Sequence, residues 1–129
     1  MKTIRVVAAL VEREGRYLIT QRRETAVLPL LWDFPGGRVE ENESDEAALA
    51  REVDERLGAT VEVGQLISFV NHPYEKYAVD LYLYECILLS DQFHCRAVKG
   101  YAWVTSKEME SYSFTPVDEA SMSKLLGES

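Results

Sequence analysis

Residues 37–59 read GRVEENESDEAALAREVDERLGA, and what surrounds them is best understood from this stretch outward. It follows a tight Gly36-Gly37 turn and closes at Gly58, with a helix expected from about Asp45 onward. Each helical residue advances about 100°, so Leu49, Val53 and Leu57 share one face while Glu52, Glu55 and Arg56 share another. Asn42 or Ser44 can cap the first turn, where Asp45 and Glu46 suit the positive end of the helix dipole. One side of this helix is core, and the other is polar chemistry.

On the N-terminal side, Ile4 to Val11 is rich in β-branched residues, and Glu14-Gly15 separates it from a second strand, Tyr17 to Arg22. Arg23 to Leu31 has no period and reads as a loop into Trp32-Asp33-Phe34-Pro35-Gly36-Gly37. Pro35 forbids a central-strand hydrogen bond there, and the paired glycines permit backbone shapes that other residues resist. A short strand over Gly37 to Glu40 follows. On the C-terminal side, Thr60 to Val70 alternates as a strand with Gly64 a bulge site, and Asn71 to Lys76 is a loop. Across Tyr77 to Leu89 the residues Val79, Leu81 and Leu83 alternate with Tyr82 and Tyr84 as two faces of a long strand. Tyr101 to Val104 is a short strand, Ser106 to Tyr112 a helical turn, and a closing helix runs to Leu126 with Asp118 as a candidate cap. Strands mixed with one central and one terminal helix predict an α/β protein, a sheet covered on its faces by helices.

The chain has 129 residues, 47% of them hydrophobic and 28% charged, which describes one globular domain over residues 1–129 that needs neither disulfide nor metal to fold. A formal net charge of −8 argues against duplex nucleic acid or an anionic membrane as partner, and leaves room for a local basic pocket. Cys86 and Cys95 are too few for a disulfide framework or zinc site. The apolar run from Val6 to Val11 ends in Glu12-Arg13-Glu14, too short for a signal peptide, so a cytoplasmic location is expected.

The acidic helix face suits a magnesium-dependent phosphate enzyme. Mg²⁺ takes hard oxygen ligands, and a diphosphate cannot approach bare carboxylates unless a cation lies between them. Gly37, Glu43, Arg51-Glu52-Val53, Glu55 and Gly58 closely resemble the Nudix box, G-x5-E-x7-R-E-U-x-E-E-x-G-U, where U is aliphatic. Trp32 to Gly37 and the Arg22-Arg23 pair extend the resemblance to the MutT-like branch and to almost the full chain.

The resemblance implies an α/β/α sandwich with a mixed β-sheet, and a pyrophosphohydrolase that cleaves a nucleoside triphosphate or other nucleoside diphosphate derivative with metal-activated water. It implies Mg²⁺ or Mn²⁺ held by the Gly37 carbonyl, Glu52 and Glu55, and a structural ion pair between Glu43 and Arg51. It also implies substrate contacts from Arg22, Phe34 and Asp118. Each has a plainer reading. Glu52 can simply pair with Arg56 one turn on, Arg22 can be surface charge, Phe34 a core aromatic, and Asp118 a helix cap. The tyrosines 77, 82 and 84 read as sheet packing rather than a stacking platform.

Two box positions depart from the pattern. Ala59 replaces a larger aliphatic residue, a mild change. Arg56 replaces a glutamate that is usually a metal ligand, and a guanidinium neither coordinates Mg²⁺ nor loses its proton. Counting back from Trp103, a further family carboxylate falls at Ala97, with Asp91 and His94 nearby as substitutes. Position 56 therefore also admits a nucleotide-binding domain of weak or absent activity, in which Arg56 bonds the phosphates directly.

Overall fold

Strand β1 (Lys2–Leu10) runs through the middle of the molecule, and Val7, Ala8 and Ala9 are each buried. Consecutive buried residues mean that both faces of the strand are covered. The computed structural model describes residues 2–125, so the expected helix end at Leu126 lies outside the described residues. After β1 come β2 (Glu12–Arg13), β3 (Arg16–Gln21), β4 (Trp32–Asp33), β5 (Gly36–Arg38), α1 (Asp45–Leu57), β6 (Val61–Pro73), β7 (Tyr77–Leu88), β8 (Gly100–Val104), a 3₁₀ turn at Glu108–Ser111 and α2 (Pro116–Leu125).

A mixed four-stranded sheet has the order β5-β1-β7-β6, with β1 and β7 parallel and the outer pairs antiparallel. Period-2 alternation sorts its side chains into two cores. Val7 and Ala9 join Cys86, Leu88 and the α1 residues Ala48, Leu49, Val53 and Leu57. Ala8 joins Val79, Leu81, Leu83, Met109 and the α2 residue Val117. This is the expected mixed-sheet α/β architecture. A second sheet, in which β3 pairs with β2, β4 and β8 in antiparallel fashion, feeds Leu18 into the first core and Ile19 into the second.

Several local expectations change in the structure. Ser44, not Asn42, caps α1, with its hydroxyl oxygen accepting from the Ala47 N–H at 3.1 Å. Gly58 ends the helix in the left-handed region at φ 62°. Thr115 rather than Asp118 precedes α2, and Asp118 is the third residue of that helix. Asn71 to Pro73, expected as loop, continue β6 by pairing with Asp80 to Ala78 of β7. Pro73 is tolerated because β6 is an edge strand and the residue ends it. The pairing of β6 shifts register between Val63 and Leu66, around the Gly64 bulge site, and again before Ser68.

The paired glycines are needed for a different reason than backbone freedom. Neither has a positive φ. A Cβ on Gly36 would lie 2.0 Å from the Val7 carbonyl oxygen, and one on Gly37 would lie 2.0 Å from Glu52 Oε2. Backbone from β1 and a carboxylate from α1 occupy the space a side chain would need. Gly36→Ala is expected to destabilise the fold by about 3 kcal/mol or more, because backbone cannot yield as a side chain can. Gly15→Ala, in a turn at φ 77° with open space around it, should cost only about 1 kcal/mol. Urea unfolding of the two variants measures the contrast.

Candidate functional site

Helix α1 lays its acidic face against β5 through one guanidinium. Arg51 donates from Nε to Glu43 Oε2 at 2.7 Å and from Nη2 to Glu43 Oε1 at 2.8 Å, and Nη2 also reaches the Arg38 carbonyl at 3.0 Å. These contacts tie the β5–α1 loop to the helix, and the first of them holds the Glu43 carboxyl down at about 2. Arg51 Nη1 also donates to Glu52 Oε1 at 2.8 Å and to Glu55 Oε2 at 3.3 Å.

Glu52 is buried against Gly37, and its second oxygen accepts from Arg56 Nε at 2.8 Å. The pair with Arg56 therefore forms, and the placement of Glu52 beside the Gly37 backbone forms with it. Glu55 is 56% exposed at the side chain, with one long contact to Arg51.

Glu52, Glu55 and Arg56 line a cleft of about 310 Å³ together with Arg22, Arg23, Ala26, Val27 and Ala97, while Gly37 borders a larger cavity beside it. Ala97, the position where the resemblance implies a further carboxylate, lines this cleft. Asp91 and His94 do not line the cleft. Asp91 is exposed and pairs with Arg13 at 3.6 Å, while the His94 imidazole lies over Gly58. Lys76 lines neither this cleft nor the larger cavity beside it.

That cavity measures about 520 Å³ and meets the cleft at Arg22, Val27 and Arg56. Aromatic and aliphatic side chains form most of its wall, including Phe34, Tyr74, Tyr77 and Val117. Phe34 is 2% exposed and belongs to the second core, so it borders the cavity as part of the packed interior. Tyr77 stacks on Tyr74 at 5.1 Å and faces the cavity, unlike the other two tyrosines of its strand. Tyr82 lies under the Arg5 guanidinium and Tyr84 bonds Asp45, both on the α1 side.

Two carboxylates border the cavity, and only one was expected. Asp118 Oδ1 accepts from the Phe34 N–H at 3.2 Å, and Oδ2 accepts from the Thr115 hydroxyl. Asp33 accepts from the Thr20 hydroxyl at 2.7 Å and from Arg22 Nη1 at 3.3 Å. The signal for Asp33 was a charged residue wedged between Trp32 and Phe34. Burial pushes both carboxyls up, and burial together with the neighbouring Asp33 charge raises Asp118 to about 7. Thr20, Arg56 and Arg22 act in the opposite direction on Asp33.

A divalent cation suits this donor set only in a particular way. Among the described residues no group of three or more His, Cys, Asp or Glu side chains converges. Gly37, Glu52 and Glu55 supply one carbonyl and two carboxylates. Mg²⁺ is commonly held by one or two carboxylates completed by substrate phosphates, so the residues fit a cation that arrives with a polyphosphate.

The raised carboxyl makes stability depend on pH. The unfolded chain releases the Asp118 proton near 3.9, whereas the folded protein holds it to about 7. Between those values the folded state binds more protons, so this group's contribution falls as pH rises. Asp118→Asn keeps an oxygen for the Phe34 N–H and an amide for Thr115. Its melting temperature is expected to exceed that of the parent by several degrees at pH 8, and the difference should shrink toward pH 4 in melting curves recorded across the range.

The NUDIX domain family model matches residues 6–124. The chain is 31% identical over 118 residues to the CTP pyrophosphohydrolase of Escherichia coli strain K12, covering 92% of this chain and 87% of that protein. It is 32% identical over 120 residues to the putative 8-oxo-dGTP diphosphatase 2 of Mycobacterium tuberculosis strain H37Rv, covering 88% and 81%. Among solved structures, the E. coli ORF135 protein superposes with a TM-score of 0.83 at 29% identity over 98% of this chain and 91% of that one. The MutT protein of Methanosarcina mazei Go1 gives 0.83 at 26% identity, covering 95% and 91%. With the box spacing, the mixed-sheet fold and matches over most of its length in agreement, the chain belongs to the Nudix family, on its MutT-like branch.

Proposed function

We propose that the protein hydrolyses a nucleoside triphosphate to the nucleoside monophosphate and pyrophosphate. The observation that carries this reading is the junction of two cavities of opposite character at Arg22 and Arg56. A nucleoside fits the larger, aromatic-walled one, and its phosphates extend past the junction into the cleft that holds Glu52 and Glu55.

In the larger cavity, Tyr74 and Tyr77, stacked on each other, are the tyrosines of the wall against which a base would pack. Asp118 and Asp33 set the hydrogen-bonding character of its polar wall, and an acid that holds its proton can donate as well as accept. Arg22, fixed by Asp33 and by the Val27 carbonyl at 2.7 Å, lies where the phosphate chain leaves the nucleoside.

At the border of the cleft, Gly37, which lines the larger cavity beside Glu52, would join Glu52 and Glu55 in holding Mg²⁺ or Mn²⁺. When bound, such a cation offsets phosphate charge and makes a water more acidic. Glu52 is fixed at both oxygens by guanidiniums and serves position. Glu55 Oε1 has no hydrogen-bond partner among the described residues, so it is the oxygen free to take a proton from the attacking water. The water oxygen bonds to a phosphorus of the anhydride, the P–O bond breaks, and pyrophosphate leaves with the electron pair.

Relatives named for CTP and for 8-oxo-dGTP define the first panel. Pyrophosphate release from CTP, dGTP, 8-oxo-dGTP and the other common nucleoside triphosphates under Mg²⁺ and Mn²⁺ is the test. Turnover of at least one is expected, with Glu52→Gln and Glu55→Gln each reducing kcat by about 100-fold, or about 2.7 kcal/mol of barrier. No release above background with either cation would overturn the reading.

A further inference from the structure

Arg56 does more in this structure than displace a glutamate. Its Nε donates to Glu52 Oε2 at 2.8 Å, and among the described residues neither terminal nitrogen has an acceptor. The side chain is 26% exposed and borders both cavities. Its own carbonyl accepts from the Arg96 N–H at 3.0 Å, which fixes the helix end against the loop that carries Ala97.

The charges around it are unequal. Three arginines, Arg22, Arg23 and Arg56, line the cleft against two carboxylates, Glu52 and Glu55; outside the lining, Asp33 pairs with Arg22, and Arg51 is shared by Glu40, Glu43, Glu52 and Glu55. Ala97 adds no charge. The cleft is thus a positively charged spot on a protein of net charge −8. A guanidinium with two unused N–H edges is a fork for phosphate oxygens and has no affinity for a metal cation.

We infer that Arg56 binds the phosphates of the substrate directly, so that the cleft captures a polyphosphate without a divalent cation and needs the cation only for turnover. The inference rests on the cleft being the phosphate site of the reading above. Its anchoring partner is Glu52, which holds Nε and leaves the outer nitrogens for the ligand. A polyphosphate then receives from Arg56 part of the charge compensation that a third carboxylate-held cation would supply.

Calorimetric titration with inorganic tripolyphosphate and with CTP in excess EDTA tests it. The parent protein is expected to bind both, with affinity falling as salt rises. Arg56→Ala should weaken binding in EDTA at least tenfold, and Arg56→Gln, which can still donate to Glu52, should do the same. Melting curves and circular dichroism establish that each variant is folded, and Arg56→Lys, which keeps the charge without the fork, should fall between. Absence of binding by the parent in EDTA, or equal affinity in the Ala and Gln variants, would overturn the inference. Binding in EDTA without pyrophosphate release under Mg²⁺ would support it while removing the hydrolase reading, and turnover without such binding would do the reverse.

Discussion

The Arg51 guanidinium is the contact on which the site depends. Four carboxylates, those of Glu40, Glu43, Glu52 and Glu55, lie 2.7 to 3.9 Å from it. Without a central cation, that many acids on one helix and its preceding loop would repel one another. Only a planar fork with five donors can serve Glu43 in two places, the Arg38 carbonyl and two helix glutamates together, and a lysine with three donors on one atom cannot. Through Arg51 the helix is fixed against β5, and Glu52 is pressed onto the side-chain-free face of Gly37.

Net charge says little about what happens in so small a volume. The chain is acidic as a whole, yet beyond about 8 Å in physiological salt its surface carboxylates are screened from the cleft. Inside the cleft, short contacts decide. Arg51 and Arg56 hold Glu52 from opposite sides, and Arg22 and Arg23 add positive charge at the rim. A polyanion entering the cleft would meet those groups before the −8 of the whole molecule.

Features legible in the sequence were those set by local period and local chemistry. The face of α1, its stop at Gly58 and the two faces of β7 all depend on residues close in the chain or on a fixed spacing, whereas the Glu43–Arg51 pair came from the resemblance to the Nudix box. What escaped depends on contacts between distant segments. Asp118 reads as a cap because it begins an apolar turn, but Thr115 takes that place and Asp118 meets the backbone of Phe34. The two-residue strands β2 and β4 have no period to detect, and they exist because β3 offers them an edge. Gly36 and Gly37 carry no mark of the backbone and carboxylate that crowd them. Tyr77 shares its strand with Tyr82 and Tyr84, and its odd number alone places it on the other face.

The two carboxylates of the larger cavity stand apart from every other acid with a clear shift. Glu24, Glu43, Asp45 and Glu108 are all lowered by hydrogen bonds, chiefly to Lys99, Arg51, Arg5 and Thr105, and each favours folding in its charged form. Asp33 and Asp118 are raised, and they border one cavity together. Their oxygens have partners, and among the described residues no buried polar side-chain atom lacks one, so the cost is not a missing hydrogen bond. It is the removal of two like charges from water, which an apolar pair of similar size would avoid. Such a cost falls on the walls of the larger of the two joined cavities, next to the arginines that lead to the box glutamates, and it supports the proposed nucleoside site there.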